Sequence, residues 1–288
     1  MERASSITSL WNALFQDAFW RKDKQVSEQQ LEARMNTNND VDCCDTPVFL
    51  INMSQETARL SRMKLRLAYH GLLEHLHIID AAGIKHPTTD FANFIEQVPL
   101  DESPLLYAAN LFSHLLALRQ LVNQTNAEAG LILEDDVMLK HDFQTHFREK
   151  VGARPGHCRL ILFSPYITKP LLDWEDIALG NGLFEIQPFV ASAACYWITR
   201  TYAEECLFLF DRPMREYPRS RQKAFGSEPF IIQQSLGCMV WPPLAIEDAI
   251  DSSLQTRGHT IDKRKYWEAA AAGYENFECP GEDVRSLW

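Results

Sequence analysis

The feature that most constrains this chain is Gly130-Leu131-Ile132-Leu133 running without a break into Glu134-Asp135-Asp136. An uncharged apolar run of this length reads as a buried strand. Three carboxylates at its end then fall at the carboxyl edge of a sheet, where open α/β folds bind ligands. Anions this close repel one another and raise each other's pKa unless a cation sits among them. Carboxylate oxygen is also the ligand type that Mg²⁺ and Mn²⁺ prefer. A solvated surface turn is the plain alternative, but the apolar lead-in favours a metal site.

The rest of the sequence supplies strands and helices in alternation. Pro47 opens a strand, Val48-Phe49-Leu50-Ile51, followed by a polar turn and an amphipathic helix through about Leu73. His77-Ile78-Ile79 reads as a short strand, residues 84–103 as irregular, and 104–124 as a Leu-rich helix. Leu160-Ile161-Leu162-Phe163 is a buried strand, 164–184 a surface excursion, and Phe189 to Ala191 through Trp197-Ile198 strand again. A helix over 201–210 and a late strand, Met239-Val240-Trp241, complete the pattern. Alternation of this kind predicts an α/β fold, its sheet largely parallel with helices on both faces.

Residues 6–35 read as a helix whose Leu10, Trp11, Leu14, Phe15, Phe19 and Trp20 form one apolar stripe. That stripe is expected to dock on the main domain. Membrane association or partner binding through this helix is the alternative, weakened by the few Lys and Arg beside it. Residues 36–46 are polar and turn-rich, as in a linker.

With 288 residues, the chain can form one large α/β domain or two small ones. Its net charge of −11 speaks against nucleic acid or an anionic membrane surface as the main partner, since both need positive surface. Seven cysteines, an odd count without C-x-x-C spacing, suggest reduced thiols and an intracellular protein. The N-terminus lacks a signal-peptide pattern and no stretch approaches a membrane span, so the expected location is cytoplasmic.

A second feature follows the first strand. Asn52 opens a turn into a helix that carries Arg59 and Arg62 one helical turn apart, suited to the anionic end of a ligand. In order along the chain, these segments resemble glycosyltransferase family 25. The resemblance begins with Val48-Phe49-Leu50-Ile51-Asn52, Arg59 and Arg62, and with Asp80-Ala81-Ala82-Gly83, where Ala82 replaces an acid. It continues through Phe112-Ser113-His114 with Ala117-Leu118, and through Leu133-Glu134-Asp135-Asp136-Val137. Ala193-Ala194-Cys195-Tyr196-Trp197-Ile198-Thr199-Arg200 with Ala203, Gly226-Ser227-Glu228-Pro229-Phe230 and Pro243 to Ser253 close it. It covers about residues 47–255, leaving 1–46 as a helical extension with linker and 256–288 as a tail. Glu228 stands where Asp is more usual, and Glu247 where Gln is frequent.

The resemblance implies a GT-A fold, Rossmann-like and mostly parallel, and a metal-dependent inverting transferase. The donor would be a UDP-sugar carrying a hexose, galactose or glucose, and the acceptor a hydroxyl of a glycan or protein. Mn²⁺ or Mg²⁺ would neutralise the pyrophosphate. Asp136 would bind the metal, with Glu134 on the ribose or a metal-bound water and Asp135 orienting the pair. Asn52, Arg59 and Arg62 would contact the donor, with His259 or Asp251 as a further metal ligand. Glu228 would be the general base, or simply an acid at a helix start with Ser227 as N-cap. His114, in an apolar helical run, is expected to hold the strand bearing Glu134. A metal-dependent phosphoester hydrolase would need further His and Asp ligands at separate strand ends. A catalytically degenerate interaction module is the non-enzymatic rival.

Overall fold

The computed structural model describes residues 46–83, 88–95, 102–167, 176–187, 190–210, 227–232 and 235–247. The expected N-terminal helix and the tail over 256–288 lie outside the described residues.

The first half builds the parallel core of the sheet. β1 (Val48–Asn52) leads through α1 (Thr57–Tyr69) to β2 (Leu76–Asp80). α2 (Thr89–Ile95) and the long α3 (Glu102–Gln124) follow, then β3 (Ala129–Glu134). The chain continues through β4 (Val137–Leu139), α4 (Phe143–Ala153), β5 (Leu160–Leu162), β6 (Tyr166–Ile167), β7 (Ala178–Gly180), β8 (Leu183–Glu185) and β9 (Val190–Ala191). β10 (Cys195–Thr199), α5 (Arg200–Phe210), a π-helix over Glu228–Ile232, β11 (Cys238–Val240) and β12 (Ala245–Glu247) complete the described elements.

Eight strands form one sheet in the order β2-β1-β3-β10-β5-β11-β8-β7. β2, β1, β3, β5, β11 and β7 run one way, while β10 and β8 run the other. The mostly parallel α/β expectation therefore holds. β4 pairs antiparallel with β12, and β6 with β9, as separate ribbons.

Alternation along each central strand feeds two cores. Phe49, Ile51, Ile132, Tyr196 and Ile198 face α2, α3 and α5. Val48, Leu50, Leu131, Leu133 and Trp197 face α1 and α4 on the opposite side. Strands buried on both faces carry continuous apolar runs, which is why these segments are legible in sequence. Arg200 secures the join between α3 and β3, donating to the carbonyls of Val122 (2.6 Å), Ala127 (2.9 Å) and Thr125. Those carbonyls lie at and just beyond a helix C-terminus, where the backbone offers no partner of its own.

Four expectations need correction. Residues 84–103 hold α2, whose Phe91 and Phe94 pack on Phe112. Seven residues gave too short a periodic signal. The expected excursion over 164–184 contains β7 and reaches into β8, which extend the sheet edge. β4 and α4 were not anticipated at all. The stretch Leu105–Gln124 is, by length and composition, apolar enough to cross a membrane, contrary to the expectation. It is the core helix α3, over half of it buried in the fold, and burial against the sheet and α5 accounts for its composition.

Gly130 tests this packing. A Cβ there would lie 2.8 Å from Phe49 Cε2 and 3.3 Å from Leu121 Cδ1. Phe49 and Leu121 are fully buried. Gly130→Ala should cost about 1–3 kcal/mol by overpacking, read as a lower urea midpoint with unchanged slope. An unchanged midpoint would refute the close approach.

Candidate active site

The chain leaves β1 for β2 on one side and returns to β3 on the other, so the strand order reverses between β1 and β3. Such a switch point opens a crevice at the carboxyl ends of the strands. Ile51 lies beside Glu134 in the register, which sets Asn52 next to the acidic turn. Helix α1 then faces the crevice with its inner side.

Asp135 is clamped from that side. Its Oδ2 accepts from Asn52 Nδ2 at 2.6 Å and its Oδ1 from Arg59 Nη1 at 3.1 Å. Arg59 is itself buried. Burial pushes the Asp135 carboxyl up from its ordinary pKa, and the bonds from Asn52 and Arg59 only partly offset this. Two turns along α1, the buried Arg66 donates to the carbonyl of Val137 at 2.9 Å. The same helix thus grips the acidic turn at two points. Arg62, between them in sequence, is half-buried.

Glu134 is held from the other face of the sheet. Its Oε1 accepts from Asn110 Nδ2 at 2.9 Å and lies 3.0 Å from His114 Nε2. A carboxylate can only accept, so Nε2 carries the proton and Nδ1 accepts from the Tyr196 hydroxyl at 3.0 Å. Burial first, then the nearby Cys206 and Glu134, hold the Tyr196 phenol well above its ordinary pKa, which keeps it a donor. His114 thus contacts Glu134 directly, in the manner the sequence suggested. Asn110 in turn accepts from Ser227 Oγ at 2.6 Å. That bond brings the start of the π-helix over Glu228–Ile232, and so the backbone of Glu228, to the same side of the crevice.

Asp136 differs from its neighbours. Only 8 % of it is exposed, and its Oδ1 is buried without a hydrogen-bond partner among the described residues. Burial, then the charges of Glu134, Glu247 and Asp135, push its pKa well above the ordinary carboxylate range, against the pull of Arg59. An unpartnered buried carboxylate oxygen among anions is the arrangement a cation would relieve. Among the described residues, no three His, Cys, Asp or Glu side chains form a group that could hold a metal ion.

Asp251 and His259 lie outside the described residues. Three participants were missed in sequence. Asn110 sits one turn before His114 on α3, a spacing that could have suggested a shared target. Glu247, noted only as a departure from the family pattern, ends β12 beside the acidic turn. Ser192 donates to Glu247 Oε1 at 2.9 Å and gives no sequence signal. A cavity of about 380 Å³ between β2 and α3, lined by Ile79, Asp80, Phe112, Arg119 and Gln120, excludes the acidic triplet.

Residues 45–153 match the model of glycosyltransferase family 25 (LPS biosynthesis protein). Over that segment, from the first strand through the acidic turn, the chain is similar to the glycosyltransferases of this family. No curated protein matches the chain. Among solved structures, it is similar to a glycosyltransferase involved in glycosylation of the major capsid of PBCV-1. That likeness has 10% identity and a TM-score of 0.38, covering 79% of this chain and 98% of that one. It is also similar to the galactosyltransferase LgtC in complex with donor and acceptor sugar analogues, at 14% identity and a TM-score of 0.35 over 84% and 100%. The glycosyltransferase GlyE of Streptococcus pneumoniae TIGR4 is similar at 11% and 0.31 over 79% and 54%. Likenesses this distant carry no argument about the chemistry.

The electrostatics of Asp136 give a prediction for the metal-free protein. Asp136→Asn removes one buried anion from among three others. It should raise the stability of the metal-free chain by about 1 kcal/mol, measured by urea denaturation with chelator present. A destabilised variant would mean that the carboxylate is satisfied in the fold.

Proposed function

We propose that this glycosyltransferase is a divalent-metal-dependent, inverting enzyme moving a hexose, galactose or glucose, from a UDP-sugar to a hydroxyl of a glycan or protein. The observation that carries the reading is Asp136, buried at the switch-point crevice with one oxygen unpartnered. Its neighbours have their carboxylates engaged by Arg59, Asn52, Asn110 and His114, so Asp136 is the triplet member best suited to a cation. Bound there, Mn²⁺ or Mg²⁺ would neutralise charge developing on the leaving diphosphate.

The chain's own residues then divide the remaining work. Arg59 and Asn52 fix Asp135, so the acidic turn is set before the donor arrives and reorganises little on binding. Asn110 and His114 hold Glu134 in one orientation, ready to accept from a ribose hydroxyl. Arg62, half-buried on α1, supplies positive charge on the donor side. Glu228, at the start of the π-helix, takes the proton of the acceptor hydroxyl. The acceptor oxygen bonds to the anomeric carbon as the bond to the diphosphate breaks on the opposite face. The sugar and nucleotide identities rest on the family resemblance. The N-terminal stripe is read as a docking face for the catalytic domain and the location as cytoplasmic.

The test separates donor binding from proton transfer. Glu228→Gln should retain UDP-sugar affinity in the presence of Mn²⁺ while turnover with acceptor falls on the order of a hundredfold to ten-thousandfold. Calorimetry and product formation on the same preparation measure both. Weakened donor binding with a proportionate loss of rate would move Glu228 to the donor subsite. Unchanged turnover would remove it from the chemistry.

A further inference from the structure

Glu247 lies outside the acidic triplet in sequence by more than a hundred residues, yet the fold brings it to the same place. Its strand β12 pairs antiparallel with β4, and the register sets Glu247 beside Val137, the residue that follows Asp136. β4 begins where the acidic turn ends, so this ribbon ties β12 directly to that turn. The pairing is closed further by Lys140, whose N–H donates to Leu244 O at 2.9 Å.

The carboxylate of Glu247 is also oriented. Ser192 Oγ donates to Glu247 Oε1 at 2.9 Å and lies 3.2 Å from Ser164 Oγ. Ser192 has φ +78°, a left-handed conformation that a non-glycine residue adopts at a cost. The segment carrying it is locked to the site, because Glu134 N–H donates to Ala194 O at 2.9 Å. Hydroxyl partners of this kind commonly fix a ligating carboxylate from behind. Across this ribbon Glu247 lies within electrostatic reach of Asp136. A buried, unpartnered oxygen on Asp136 supplies the independent sign that something beyond the protein completes the site.

We propose that Glu247 is a second protein ligand to the divalent cation held by Asp136, contributed across the β4–β12 ribbon and oriented by Ser192. The inference rests on the metal-dependent reading above. Two carboxylates, one from the turn that opens β4 and one from β12, would leave the remaining coordination positions to water and the donor's diphosphate. The extra charge would also make the site's affinity for the cation less dependent on the nucleotide than a single carboxylate allows.

The experiment titrates Mn²⁺ into the full chain with saturating UDP, following free Mn²⁺ by electron paramagnetic resonance. UDP affinity without metal and the thermal midpoint of each variant are measured alongside. Glu247→Ala should weaken Mn²⁺ binding tenfold or more, on the order seen when a metal site loses a supporting group. Metal-free UDP affinity and the thermal midpoint should not fall. Glu247→Gln, which keeps an oxygen but not the charge, should give an intermediate loss. Wild-type Mn²⁺ affinity in Glu247→Ala overturns the proposal. Should that variant fail to fold, wild-type affinity in Glu247→Gln overturns it equally. Absence of Mn²⁺ binding by the wild-type chain is a different result, and it overturns the metal-dependent reading itself.

Discussion

Glu134, Asp135, Asp136 and Glu247 come within electrostatic reach of one another at one end of the central sheet. Arg59 is spent on Asp135, with Asn52 on its other oxygen. His114 and Asn110 serve Glu134. Asp136 is left inside, repelled by its neighbours and without a bond to one of its oxygens. Placing an anion there is unfavourable unless a cation joins it, because desolvation of the charge outweighs what the surrounding dipoles return. The rest of the site is arranged around that tension. α1 grips the turn at Asp135 and at the Val137 carbonyl, and the Tyr196–His114–Glu134 chain fixes the first acid from the opposite face of the sheet.

The fold makes such a site available through topology. β1 and β3 are neighbours whose connections depart to opposite sides, so their carboxyl ends frame a crevice at that edge of the sheet. The apolar faces of the strands anchor both walls, one core beneath α3 and α5 and the other beneath α1 and α4. Rigid walls matter here. Acids held by a packed sheet cannot separate to relieve their repulsion.

Much of this was legible in sequence, for a physical reason. Fully buried strands such as Val48–Ile51 and Leu131–Leu133 cannot hide their apolar runs, and a run that ends in three acids states where its edge lies. Short elements were not legible. α2 shows two turns of pattern, and β4 and β12 span three residues each, too few for either period to register. Glu247 was lost for the same reason: its place depends on a pairing between segments more than a hundred residues apart. Ser192 and Asn110 act through single hydrogen bonds that leave no trace in composition. His114, expected from its apolar helical run to hold the strand that bears Glu134, does contact that acid.

The central claim is that a divalent cation belongs beside Asp136 when a nucleotide donor is bound. Crystals of the full chain grown with UDP and Mn²⁺, measured at the manganese absorption edge, address it directly. The account predicts one strong anomalous peak about 2.1 Å from an oxygen of Asp136, with the diphosphate on its far side. Ordered UDP in the crevice with no peak at Asp136, or a peak held only by residues elsewhere, would contradict it.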